Sequence, residues 1–184
     1  MAERKHLIDA DDFQDLARPV SIHLDETEVD AYIAECEDVY IIPAIGYGNF
    51  AKAVNSETFD DTFDDTFSAS IWLDGGEFDA PTDNCGCDGV EKSWCVGLRK
   101  TLAYFVYARM GRADGSIIAR SGYMRHEDTY AEHVPTDQKQ YDDVMDVAEK
   151  YLAGCMKYAQ IHSADCKKVK PVRGSRAAIK VIGD

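Results

Sequence analysis

The sequence predicts an all-α fold, a compact multi-helix bundle of about five to six helices followed by a short basic tail of strand-like character. Three observations predict it. Apolar or small residues recur at spacings of three and four in separate stretches: Val29, Tyr32, Ile33, Cys36 and Tyr40; Trp94, Cys95, Leu98, Leu102, Phe105 and Val106; Tyr141, Val144, Met145, Ala148, Tyr151, Leu152, Cys155 and Ala159. That spacing puts each set on one helix face. Aspartates stand where helix N-caps are needed, and glycine or proline punctuates the intervals. With 184 residues, the chain suits one helical domain, 1–166, and a tail, 167–184.

The elements follow in order. Asp9 caps a short helix over 9–16, which Arg18-Pro19 ends. Asp25 caps the next helix, with Glu28 placed for a capping box. That helix reaches Ile41-Ile42-Pro43, where proline disfavours helical backbone in the residue before it and clashes with the carbonyl four residues back, so a stop or kink is expected. Gly46 and Gly48 allow a sharp reversal, and a brief helix spans 47–54. The run Thr58-Phe59-Asp60-Asp61-Thr62-Phe63-Asp64-Asp65-Thr66-Phe67 has a period of four, which on a helix makes a phenylalanine stripe flanked by aspartates. Gly75-Gly76 closes that helix, and 77–89 reads as a loop. The strongest helix is expected over 90–110, with Trp94 and Cys95 in its core stripe, stopped near Gly111. The stretch 116–134 fits no single period, and its His126 and His133 belong to a surface loop. A last long helix covers 135–162, with Pro135 in its first turn.

Charge is unevenly divided. The chain carries −14, but 167–184 holds Lys167, Lys168, Lys170, Arg173, Arg176 and Lys180 against one acid, leaving −19 on 1–166. So acidic a body repels nucleic acid over most of its surface, while the tail suits a phosphate backbone or an acidic protein face. Ile179 and Val181 give 177–182 a strand-like pattern able to join a neighbour's sheet edge. No apolar window is long enough to span a membrane, and the start lacks a signal-peptide core, so a cytoplasmic protein is expected.

Recognisable catalytic motifs are missing: no Gly-x-x-x-x-Gly-Lys, no Gly-x-Ser-x-Gly and no His-Glu-x-x-His occurs. Paired aspartates suggest calcium, but the glycine and distal glutamate of an EF-hand loop are not in place. Of six cysteines, Cys36, Cys95 and Cys155 read as small buried hydrophobes. Cys85-Gly86-Cys87 is a C-x-C in a loop, which with Cys95 departs from the usual zinc spacings. The residues therefore favour a protein without enzyme activity, cofactor or metal. The alternative is a small bacterial cytoplasmic metal-binding protein or enzyme using the Cys85/Cys87/Cys95 loop, and a third reading is a regulatory module whose tail binds nucleic acid.

Three stretches carry a family resemblance. The helix and corner ending Tyr40-Ile41-Ile42-Pro43-Ala44-Ile45-Gly46, the central Gly97-Leu98-Arg99-Lys100-Thr101-Leu102-Ala103-Tyr104-Phe105-Val106-Tyr107-Ala108-Arg109-Met110, and Ala119-Arg120-Ser121-Gly122-Tyr123 followed by the long last helix stand in one order. Together they resemble the head–tail connector (adaptor) proteins of tailed bacteriophages, also known as DNA-packaging proteins, and in particular the versions in phages and prophages of gut Bacteroidetes. The resemblance covers roughly two-thirds of the chain by order of elements; the loop 83–88 and the basic tail depart from it. It implies an all-helical virion subunit, made in the host cytoplasm and assembling with its own copies into a ring below the portal. Its partners are then the portal and tail-completion proteins, with double-stranded DNA passing transiently and non-specifically and no membrane involved. On that reading Asp60, Asp61, Asp64 and Asp65 face the lumen or an adjacent subunit, and Lys167, Lys168, Lys170, Arg173, Arg176 and Lys180 contact a partner.

Overall fold

The structure, a computed structural model, describes residues 4–18, 25–59, 63–81, 90–113, 116–119, 122–125 and 138–163. In chain order it comprises α1 (Ala10–Leu16), α2 (Glu26–Cys36), a π-helical turn (Glu37–Ile41), α3 (Ile42–Ile45), α4 (Tyr47–Asn55), α5 (Ala69–Asp74), β1 (Gly76–Pro81), β2 (Val90–Cys95), α6 (Leu98–Ala113), β3 (Ser116–Ala119), β4 (Gly122–Arg125) and α7 (Gln138–Ile161). The fold is mainly helical, as expected, but not all-α: the described residues include two antiparallel hairpins, β1–β2 and β3–β4. The tail 167–184, the histidines at 126 and 133, and Pro135 lie outside the described residues.

The caps are where the sequence puts them. Asp9 accepts from the Asp12 N–H at 2.8 Å, and Asp12 accepts from the Asp9 N–H at 3.4 Å, closing a capping box with aspartate in place of glutamate. Asp25 caps α2 through the N–H of Thr27 at 2.9 Å, one residue earlier than a box with Glu28 would use.

At the corner the helix does not stop before Pro43. It widens by one residue over Glu37–Ile41, so that the Ile42 N–H donates to the Glu37 carbonyl, and continues as α3 with Pro43 in its first turn. A π turn opens the hydrogen-bond ladder where the proline ring would otherwise meet the Val39 carbonyl. The reversal comes at Gly46, whose φ of +81° suits glycine.

The expected helix over 90–110 divides. Residues 90–95 pair with 76–81 in a two-stranded ribbon, from Gly76↔Cys95 at its base to Pro81↔Val90 at its tip, and α6 begins at Leu98. Pairing alternates the faces, so Phe78, Ala80 and Cys95 point inward while Trp94, expected in the core, is 66% exposed. Two glycines permit the ribbon's base. Gly75 and Gly97 have φ of +95° and +94°, and a Cβ on either would lie 2.6 Å from backbone atoms of the other's segment.

The aspartate–phenylalanine repeat is likewise not a helix where it is described. Phe63 forms a bridge to Ser163, the chain turns at 64–66, and helix resumes only with α5. Asp64 there accepts the backbone N–H of Thr66 at 3.0 Å, a local bond that competes with helix formation. The rings still converge: Phe59, Phe63 and Phe67 lie 5.6, 5.5 and 5.6 Å from the Trp72 ring, and Tyr158 of α7 flanks Phe67 at 5.5 Å.

The core centres on α6 laid along α7. Leu98, Leu102, Phe105 and Val106 meet Ala148, Cys155 and Tyr158 in one buried cluster with Phe13, Ile33, Cys36 and Ile41. Among the described residues no helix is long and apolar enough to cross a membrane.

Candidate functional site

Glu37 opens the π turn and is fully buried. Its carboxylate accepts the Leu7 N–H at 2.8 Å, and Oε2 lies 2.8 Å from His6 Nδ1 and 3.3 Å from the Arg4 guanidinium. Arg4 also grips the neighbouring Asp38 at 2.8 and 3.1 Å, which holds the Asp38 carboxyl below the usual carboxylate range. The N-terminal segment is thereby fastened to the corner. Position 37 is four residues from both Ile33 and Ile41, on the core stripe; an acid at that register was the sequence signal for this cluster.

Beyond the π turn, Tyr40 stacks on Phe105 of α6, and the Arg109 guanidinium lies 5.7 Å from the Tyr40 ring centre and 3.4 Å from Glu35. A groove of about 170 Å³ runs between the corner and α7. Tyr40, Phe105, Leu152 and Met156 line it, with the exposed Glu149 and Lys157. Its lining is apolar and its two charges oppose each other. Cys36 nearby is buried, and that burial pushes its thiol up to about 12, so it stays protonated and is no nucleophile at neutral pH.

A second cluster joins the 64–66 turn to the end of α7. Asp64 Oδ1 accepts the Thr66 hydroxyl at 2.6 Å and the Thr66 N–H at 3.0 Å, and stands 3.3 Å from His162 Nδ1. Those bonds from Thr66, with the nearby imidazole, hold the Asp64 carboxyl below its ordinary value. Threonine, histidine and aspartate suggest a hydrolytic triad, but the wiring differs. A triad sets nucleophile and acid on opposite ring nitrogens; here Thr66 and Asp64 meet the same nitrogen, and His162 Nε2 is buried without a partner. The cluster is a clasp, tied further by Asp64 N–H to the His162 carbonyl at 2.8 Å.

Of the acidic residues expected at a subunit contact, Asp64 and Asp65 are both exposed, and Asp64 is also engaged in its own turn. Asp60, Asp61 and the tail residues Lys167, Lys168, Lys170, Arg173, Arg176 and Lys180 lie outside the described residues.

The cysteine alternative fares differently at its one described member. Cys85 and Cys87 lie outside the described residues, in the stretch joined to the ribbon's tip at Pro81 and Val90. Cys95 is at the opposite, buried end, its sulfur 3.7 Å from Cys155. Beside Cys155, which can donate to its thiolate, Cys95 is held below the ordinary thiol value, while Cys155 is pushed up. Nothing in sequence spacing flagged Cys155 as a partner, because the two residues meet only through tertiary packing.

No family model, curated protein or solved structure matches this chain. What can be argued of function therefore rests on its own residues. Among the described residues no three His, Cys, Asp or Glu side chains come together as a metal would require. The described polar clusters fasten segments of the chain to one another.

Proposed function

We propose that this protein is a non-catalytic structural subunit, a head–tail connector (adaptor) of a tailed phage or prophage, working as a ring of identical copies below the portal. The observation that carries the reading is the contact among its three landmarks. The corner packs on the central helix through Tyr40 on Phe105, and the central helix packs on the last helix through Tyr104 on Tyr151, rings 5.1 Å apart. A corner braced in this way sets the angle between helices, which is what a subunit acting through its shape needs. The hairpins are additions to the all-helical plan that the resemblance implies.

Charge supports the same reading. A body of −19 lets DNA pass without phosphate contacts that would slow it, and a tail of +5 is complementary to the acidic face of another copy or of the portal. On this reading Asp60, Asp61, Asp64 and Asp65 face the lumen or a neighbour, and the residues of 167–184 make the partner contact.

The test is assembly. The full chain, mixed with the portal protein of the same genome, is expected to co-sediment with it and to appear as an added ring by electron microscopy. A chain that stays monomeric and unbound with assembled portal would overturn the proposal.

A further inference from the structure

Cys95 ends β2 and Cys155 lies on α7, 60 residues further along the chain, yet their sulfurs are 3.7 Å apart and both residues are fully buried. We infer that these two thiols are an oxidisable pair that closes to a disulfide within the folded protein, stapling the base of the β1–β2 ribbon to α7. Nothing in the inference depends on the connector reading.

Geometry favours a bond between these two sulfurs. They need to approach by roughly 1.7 Å to reach the disulfide length of about 2.05 Å. The Thr101 hydroxyl also stands at the pair, 3.7 Å from the Cys155 sulfur and itself tied to the Gly97 carbonyl at 2.7 Å. A structural zinc takes four ligands, and no third His, Cys, Asp or Glu joins the pair among the described residues. The remaining described thiol, Cys36, sits on α2.

The pair is chemically unequal. Cys155, 3.7 Å away, can donate to a Cys95 thiolate and so favours it, and Cys95 ends the ribbon strand itself, so we assign the first step to Cys95. Access comes through the ribbon: a two-stranded hairpin is marginal by itself and opens locally more easily than the helices beneath it. Hydrogen peroxide is small enough to enter by such an opening. The Cys95 thiolate attacks one peroxide oxygen, the O–O bond breaks, and hydroxide leaves as water with the proton of the Cys95 thiol. The Cys155 sulfur then attacks the Cys95 sulfenic acid, the S–O bond breaks as S–S forms, and a second water carries off the Cys155 proton. Two thiols and one peroxide thus give one disulfide and two waters, the sulfurs being oxidised by two electrons and the peroxide reduced by two.

The test is peptide mapping of the full chain after peroxide treatment, alkylation in denaturant and tryptic digestion without reduction. Trypsin places Cys95 in 93–99 and Cys155 in 151–157, each as the single cysteine of its peptide. The expected product is these two peptides joined, two hydrogens lighter than their sum and separated by dithiothreitol. The oxidised protein should also melt roughly 10 °C higher, since the bond closes a long loop, and Cys95→Ala and Cys155→Ala should lose the rise. Recovery of both peptides fully alkylated, or of Cys95 joined instead to Cys85 or Cys87, would overturn the inference. Because the mapping uses the unaltered chain, it decides the matter even if either variant folds poorly.

Discussion

Tyr40 lies face to face on Phe105, their ring centres 4.3 Å apart and their planes 6° from parallel. One ring belongs to the π turn and the other to α6, so this contact fixes the corner against the centre of the core. Phe105 is fully buried, and truncating it to alanine should cost about 3–5 kcal/mol in urea unfolding. The stack itself is worth about 0.5–1.5 kcal/mol beyond the area it buries. A double-mutant cycle of Tyr40→Leu and Phe105→Leu should return a coupling of that size, and strictly additive losses would show that the stack contributes nothing.

Gly75 and Gly97 set a sharper test, because each has positive φ and each would drive a Cβ to 2.6 Å from backbone. Strain and clash act together, so Gly97→Ala and Gly75→Ala should each lose at least about 2 kcal/mol. Gly154 is the internal control. It is helical, with open space where a Cβ would go, and Gly154→Ala should stabilise by up to about 1 kcal/mol. Equal effects at Gly97 and Gly154 would contradict the base geometry of the ribbon.

The helices that could be read in the sequence were those whose period agreed with their punctuation. Asp9, Asp25, Gly46 and the stripe from Val144 to Ala159 each acted locally, and each appears as expected. The ribbon was obscured because Trp94, Cys95 and Leu98 satisfy helical spacing while Val90, Lys92 and Trp94 equally satisfy a strand. Gly97 decided between them, and the alternation of Phe78 and Ala80 with Glu77 and Asp79 was a strand signal inside an expected loop. The phenylalanine repeat gave a correct cluster although its described residues are not helical, because Trp72 gathers the three rings. Glu37 shows in the sequence as an acid on a core stripe, but its partners do not, and the Cys95–Cys155 pair has no local signature, since both are completed by residues at least 30 positions away.

Glu37 makes that point testable. Replacing it with alanine leaves the buried Leu7 N–H without its acceptor and frees His6 and Arg4 from their shared carboxylate. Loss of one member of a buried charged cluster costs about 3–5 kcal/mol. Glu37→Gln keeps an acceptor for Leu7 and should cost distinctly less, whereas Arg4→Ala, on a half-exposed side chain, should cost under about 1 kcal/mol. Urea unfolding curves give the order, and an Arg4→Ala loss equal to that of Glu37→Ala would refute it.

Acid should act through Asp64. Its folded-state carboxyl is held below the ordinary value by the Thr66 hydroxyl and N–H and by His162, so folding favours the ionised form. A depressed carboxyl stabilises the fold fully above its unfolded value, near pH 3.9, and loses that contribution as pH falls through the folded value. The stability gap between the parent protein and Asp64→Asn should therefore be widest near neutrality and narrow below about pH 4. Asp38, lowered by Arg4, gives a second carboxylate with the same sign, so Asp38→Asn should narrow over the same acid limb. Urea unfolding of the three proteins from pH 7 downward provides the measurement. A gap for Asp64→Asn that stays constant or grows in acid would mean that the clasp at the end of α7 does not depend on the charge of Asp64.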